Sequence, residues 1–496
     1  MKFNTIPKIL LSVLSASLIV ISACKSYLEV EPQGQLTEIN YFKTPGDALL
    51  GTNAIYNTLR IAFYNEGIYP ILDIMSDDTR KGSNPGDGLS NVQPYDNFSF
   101  SATTQAHANW YTTLYQGVRR ATAVIENVPS ISMDNTLKNR YIAEARFLRA
   151  LFYLDLVRAF GPVPKITLLN PPNKVSRDTS IYRTLILPDL DFAIANLPSV
   201  YPKVDAGRAT KGAAYALKAR AALFFRDFPL AASSAKEVIN SQVYGLESDF
   251  SDAFNVLGNY GKESVFEVGA VAIDDFGTGG NQYGEAQGVR GNPNRGWGFN
   301  RPSLSLIAAF EPGDPRKDKS IIFLNEVLDG VTIFGDPSTP DSTRDRATND
   351  LIEIECYNQK IWGTGTAVLP SWGIHRKIIR FADVLLIAAE ALNENGESGE
   401  ALSYLNLIRA RARAGDQTIL PDFQNTDQAE LRNAIYRERR VELALESQRF
   451  FDLIRTGRAV SELGPLGFKA NRNERFPIPQ IEIDITEGSL SQNPGW

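Results

Sequence analysis

The densest run of reactive side chains is Ser76-Asp77-Asp78. Two carboxylates can serve as the acid and base of a glycosidase if they stand ~5–9.5 Å apart across the scissile bond. Adjacent residues on a turn can reach that spacing, but no neighbouring motif supplies groups to tune them. Asp73, Asp77, Asp78 and Asp87 could offer oxygens to Ca²⁺, yet their spacing matches no defined calcium loop. Gly277-Thr278-Gly279-Gly280 lacks the Lys-Ser/Thr that completes a phosphate loop. The chain has 2 His and 2 Cys, which excludes zinc clusters and disulfide frameworks. His107 sits beside Trp110 in a helical pattern, and His375 has no carboxylate motif near it. The expectation is a protein that is not an enzyme, with no resident metal and no cofactor.

Binding chemistry fits the residues better. Sugars present apolar C–H faces and hydroxyl edges; flat rings bury the first, and Asp, Asn and Lys satisfy the second. Tyr95, Tyr283, Trp297 and Trp372 are the candidate rings, with Asp77, Asp78, Lys81 and Asn281 as polar partners. Each ring contributes only ~1–1.5 kcal/mol, so two or three are needed. They lie in or near long glycine-rich loops at 79–103, 276–300 and 362–376, and loops of that length are usually functional. The expectation is that the three loops converge on one exposed face. Trp110 and Trp362 are expected to be core residues.

Something must position those loops. Of 496 residues, 43% are hydrophobic and 22% charged, a globular composition. The formal charge of −6 argues against nucleic acid as a partner. Lys2 and Lys8, an apolar stretch over 9–21 and the small residues Ser22-Ala23 before Cys24 read as a lipoprotein signal peptide with lipidation at Cys24. Acyl chains there would anchor the mature chain in a membrane. Cys356 is then left alone and is expected to be a buried thiol. Residues 1–23 are thus the signal peptide and 24–37 a lipidated tether.

Apolar spacing predicts helices at Thr44-Pro45-Gly46-Asp47 and beyond, then at 104–127, 136–159, 180–196, 208–226 and 229–241. A second set falls at 379–394, 399–413, 427–446 and 448–455. Ala222-Leu223 with Ala231, Ala235 and Val238 is echoed by Ala391-Leu392 with Ala401, Leu405 and Ile408, at an offset of 169 with a one-residue slip. Small residues on such seams let helix pairs approach as in tetratricopeptide-like repeats. The fold class is mostly α: a tetratricopeptide-like helical-repeat scaffold with a loop-rich, minor-β ligand-binding region. Residues 38–243 form an N-terminal helical-repeat region, 244–376 the loop-rich ligand face, and 377–496 a C-terminal helical region and tail, all in one globule.

Several motifs then occur in a telling order. They are the Cys24 site, Ala143-Glu144-Ala145-Arg146-Phe147-Leu148-Arg149-Ala150, Phe160-Gly161-Pro162-Val163-Pro164 and Arg208-Ala209-Thr210-Lys211-Gly212. Phe310-Glu311-Pro312-Gly313-Asp314-Pro315-Arg316, Ile379-Arg380-Phe381-Ala382-Asp383 and Glu438-Arg439-Arg440-Val441-Glu442 follow, and the chain closes on Gln492-Asn493-Pro494-Gly495-Trp496. In this the chain resembles SusD/RagB lipoproteins, the surface nutrient-binding partners of TonB-dependent transporters. The resemblance implies an outer-membrane, lipid-anchored, surface-exposed protein with a SusC-like transporter and an oligosaccharide as partners. Peptide capture, a transporter lid with little affinity of its own, and glycoside hydrolysis are the alternatives. It also implies that the charged motifs hold the fold while the loop after Ser76-Asp77-Asp78 contributes to the ligand site. On the helices those charges fall at i,i+3 and i,i+4, which predicts ion pairs at that spacing that lock helix to helix.

Overall fold

The computed structural model describes residues 41–171, 176–273, 280–363 and 373–496. It is a helical scaffold with short two-stranded sheets. The longer helices are α1 (Pro45–Thr58), α2 (Gln105–Asn127), α3 (Asn135–Phe160), α4 (Leu187–Asn196), α5 (Lys211–Phe224) and α6 (Phe228–Asn240). They continue as α7 (Phe381–Glu394), α8 (Ser398–Ala412), α9 (Gln428–Glu442) and α10 (Arg449–Arg455).

Local chemistry sets their ends. Thr44 and Asp47 form a reciprocal capping box before α1: the Thr44 N–H donates to Asp47 Oδ2 at 2.7 Å, and Thr44 Oγ1 accepts from the Asp47 N–H. Gly161 ends α3 with φ +72°, where a Cβ would lie 2.7 Å from the Arg475 side chain.

The repeat is visible in its turns. The Asp227 N–H donates to the Ala222 carbonyl and the Glu397 N–H to the Leu392 carbonyl, both at 2.8 Å. Arg226 and Gly396 take the left-handed conformation at the matching position, with φ +59° and +85°. These pairs are 170 residues apart, as are Ala231 and Ala401, Ala235 and Leu405, and Val238 and Ile408. The register is therefore uniform and needs no slip. The seam residues are buried, and α6 of the first hairpin packs on α7 of the second.

The strands tie the region between the blocks to the scaffold. β1 (Thr79–Gly82) pairs with β3 (Phe299–Pro302), and β2 (Ser264–Val268) pairs with β4 (Arg376–Arg380), which leads directly into α7. Cys356 is buried, and burial pushes its thiol up to about 12.

The charged motifs do lock helices together, but mostly not at i,i+3 or i,i+4. Their partners are remote because the side chains point inward. Arg380 meets Glu442, Glu263 and Glu446, each at 2.7 Å. Arg316 meets Glu438 at 2.6 Å and Glu442 at 3.0 Å. Arg439 and Arg220 share Asp383 at 2.8 and 2.7 Å.

Glu267 on β2 shows what such pairing does. It is buried, accepts from the Tyr260 N–H at 2.6 Å, and lies 3.0 Å from His375 Nδ1 and against Lys377 Nζ. Burial alone would raise its carboxyl, but His375 and Lys377 hold it down at about 2. A carboxyl lowered by folding adds stability above its unfolded value near 4.5, and that stability drains away as pH falls toward 2. Glu267→Gln should therefore be most damaging near neutral pH. The gap between variant and wild type in urea melts should be ~2 kcal/mol smaller at about pH 3 than at about pH 5.5. A pH-independent gap would show that the carboxylate charge is not what matters.

Candidate functional site

Seven of the eight expected ligand contacts fall among the described residues, and most serve the scaffold instead. Asp77 receives Arg449 in a bidentate pair, Nε and Nη2 both at 2.8 Å, and Arg440 at 2.9 Å. Asp78 is fully buried and receives Arg440 Nε at 2.7 Å. Burial opposes charge on both acids. In Asp77 the arginine bonds prevail and its carboxyl is lowered; in Asp78 burial prevails and its carboxyl is raised. Neither is placed to meet a ligand: they fasten the root of β1 to α9 and α10.

Lys81 is also buried. Its ammonium donates to the carbonyls of Asn84 and Asp87 at 3.0 and 2.9 Å and so shapes the turn after β1. Tyr95 is a core residue. Its ring stacks on Phe100 at 4.9 Å, and its hydroxyl lies 2.7 Å from His107 Nδ1. Burial pushes His107 down to about 3, so the imidazole is neutral. Asn281 and Tyr283 are buried as well, with Asn281 Oδ1 accepting from the Tyr283 N–H at 3.0 Å. Trp372 lies outside the described residues, as does Cys24.

Trp297 is the exception: it is 38% exposed. Its N–H donates to the Glu285 carbonyl at 2.8 Å. A side chain at Gly296 would collide with that same carbonyl, so the backbone can approach only because a glycine precedes the tryptophan.

The described parts of the first two loops meet, whereas 364–372 of the third lies outside the described residues. The Ser83 N–H donates to the Gly298 carbonyl at 2.6 Å, joining the 79–103 loop to the 280–300 loop. Arg290 bridges them with Nη1 to Asp87 and Nε to Asp336, both at 2.6 Å. Asn84 reaches Ser338 at 3.0 Å. On another side, Arg295 donates to the Gly363 carbonyl at 2.7 Å and lies 4.0 Å above the Trp362 ring. Trp362 is half-buried: it packs against the small core of Val289, Ile322, Ile333 and Tyr357 and donates from Nε1 to Asp329 at 2.9 Å, so it is partly core, as expected, and also ties in the loop face. The segment 329–338 was not among the expected contributors. Its own sequence carries Gly330, Gly335, Pro337 and Phe334, the same glycine and aromatic signal as the other loops, and it joins the face through Arg290 and Trp362. Among the described residues no group of three His, Cys, Asp or Glu could hold a metal ion.

A profile of the SusD family matches residues 262–496, and a second profile, described as starch-binding associating with outer membrane, matches residues 55–223. The chain belongs to the SusD family. Among relatives of this SusD-family chain, SusD-like protein P2 of Formosa agariphila is 28% identical, with 95% of this chain and 96% of that one aligned. A solved laminarin binding SusD-like protein is 29% identical, with a TM-score of 0.76 over 92% of this chain and 100% of the other. Surface glycan-binding protein A from Bacteroides thetaiotaomicron, in complex with laminarihexaose, is 25% identical with a TM-score of 0.75, covering 91% and 100%. The helical-repeat architecture is the one these structures share. No described helix is long and apolar enough to cross a membrane.

The ion pairs of Asp77 give a direct test of their scaffold role. Asp77→Ala would leave the buried Arg449 guanidinium without its carboxylate, which costs ~3–5 kcal/mol. The variant should melt far below wild type, and its folded fraction should bind ligand normally. Wild-type melting with weakened binding would return Asp77 to the ligand site.

Proposed function

We propose that this chain is a cell-surface lipoprotein that captures oligosaccharide and hands it to a SusC-like, TonB-dependent transporter in the outer membrane. The observation that carries this reading is the loop face. An exposed tryptophan, Trp297, stands on loops cross-linked by Arg290, Asp87 and Asp336, and Phe334, 59% exposed, lies in the segment joined to them through Asp336. That arrangement is a rigid, shallow platform with a flat apolar surface and hydroxyl-compatible edges. It binds and does not catalyse: the adjacent carboxylates Asp77 and Asp78 are already paired with arginines. The likeness to laminarin- and laminarihexaose-binding proteins supports a glycan as ligand. The profile description supports the outer membrane, and Ser22-Ala23-Cys24 supports a lipid anchor there.

Affinity should be modest, in the micromolar to millimolar range or ~4–8 kcal/mol, because few rings take part and hydroxyl contacts largely exchange with water. Trp297→Ala should weaken binding of laminarihexaose about tenfold in calorimetry without lowering the melting temperature. Trp110, by contrast, is fully buried, and Trp110→Ala should cost ~3–5 kcal/mol of stability. Unchanged binding in Trp297→Ala would move the ligand elsewhere.

The anchor and the partner can be tested together. Mild detergent extracts of cells expressing the whole operon should yield the wild type with a large β-barrel, whereas Cys24→Ala should be released from the membrane. An unmodified Cys24 in the mature protein, read by mass spectrometry, would rule out the anchor. A wild type that runs alone would remove the transporter from the proposal.

A further inference from the structure

A second cleft, of about 560 Å³, opens between α1, the 204–208 turn and the segment that follows β2. Its size falls in the ~300–1,000 Å³ range of small-molecule sites. None of its lining residues comes from the 79–103, 280–300 or 329–338 segments, although His375 belongs to the 362–376 segment.

Its wall carries Tyr260, which is 47% exposed yet tightly held. The residue sits in the left-handed region at φ +54°, a conformation that a bulky side chain adopts only when its surroundings impose it. Here the Glu267 carboxylate takes its N–H at 2.6 Å, and the ring meets His375 edge-on at 4.9 Å. Two glycines make room for the ring. A Cβ at Gly207 would lie 2.9 Å from it, and one at Gly269 would strike its hydroxyl. That hydroxyl has no hydrogen-bond partner among the described residues.

The facing wall offers neutral amides. Asn53 and Asn57 stand one turn apart on the exposed side of α1. Asn53 Oδ1 accepts from Arg208 Nη2 at 2.9 Å, which leaves its NH₂ uncommitted. The Asn57 side chain has no partner among the described residues. The charges nearby are already matched. Arg208 pairs with Glu144 at 3.0 Å and Asp205 at 2.8 Å, and Glu267 is held by His375 and Lys377. Val204 and Val271 add exposed apolar surface.

We propose that this cleft is a second saccharide site that takes a short segment of a neutral glycan. The Tyr260 ring lies under the C–H face of a sugar, and the Asn53 and Asn57 amides meet its hydroxyl edges. A charged sugar would have to compete with the ion pairs already made by Arg208 and Glu267 and is disfavoured. The site stands independently of the loop face, since neither needs the other to bind.

Native gel electrophoresis through laminarin, starch, xylan or alginate tests this, with Tyr260→Ala, Asn57→Ala and Trp297→Ala run beside wild type. For at least one neutral polysaccharide, Tyr260→Ala should weaken retardation about tenfold, in the wild-type and Trp297→Ala backgrounds alike. Asn57→Ala, at an exposed residue with no side-chain partner among the described residues, should weaken it in the same direction without any change in melting temperature. Retardation by every neutral polysaccharide that is indifferent to both substitutions overturns the proposal, as does an effect confined to alginate. If Trp297→Ala abolishes retardation and the cleft variants keep it, the cleft reading falls and the loop-face reading stands. If the cleft variants abolish retardation and Trp297→Ala keeps it, the loop-face reading falls and the cleft reading stands.

Discussion

Glu442, at the end of α9, is fully buried and faces three guanidinium groups, from Arg380, Arg316 and Arg411. Burial by itself would raise its carboxyl; the three arginines hold it well below the usual range. Those arginines come from the β4–α7 junction, from the segment at 315–320 and from α8. A buried charge that loses one partner costs ~3–5 kcal/mol, so none of these elements can shift without a large penalty. The same groups could be replaced by well-packed apolar side chains at little cost. What the lattice of charges supplies is therefore geometry: one arrangement of α7, α8 and α9 in which every charge is met.

That geometry extends to the loop face through α9 itself. One turn of its helix carries both Glu438, which meets Arg316, and Arg440, which reaches Asp77 and Asp78. Asp78 is followed directly by β1, and its carbonyl and that of Asp77 also accept from Ser303, just after β3. The paired strands that launch both loops are thus fixed at their base by the helical block. Past them, Lys81 and Arg290 shape the turns, and only then does the chain reach Trp297. A binding surface on loops can be rigid when its roots are ionic and buried.

The scaffold was legible because its signals are local. Thr44 with Asp47, Gly161 before Pro162 and the Ala-rich seams each declare an element within a few residues. The candidate site was not, because exposure is decided by distant partners. Tyr95 looks like a loop aromatic until Phe100, His107 and Phe476 close over it. Asp77 and Asp78 look like available acids until Arg449 and Arg440 arrive from more than 360 residues away. The family resemblance points to the loop after Ser76-Asp77-Asp78, yet the motif residues there are held by the fold. Length and glycine content pointed to the contact between the first two loops; which rings stay exposed was not legible, because distant partners decide it.

Charge matching also bears on what such a surface can select. Arg290 is shared between Asp87 and Asp336, and Arg295 is laid on Trp362 and bound to a carbonyl. At Arg290 an anionic ligand would have to draw the guanidinium away from the carboxylates it already meets, and those acids would then repel it. A polyol asks for no such exchange. It can accept from an arginine N–H and donate to a carboxylate oxygen while the ion pair remains closed, and its ring face can cover indole carbon that water covers poorly. Matched charges with free hydrogen-bonding capacity thus favour neutral, hydroxyl-rich ligands over charged ones. The exclusion comes from pairs already made, which is why it needs no dedicated steric gate.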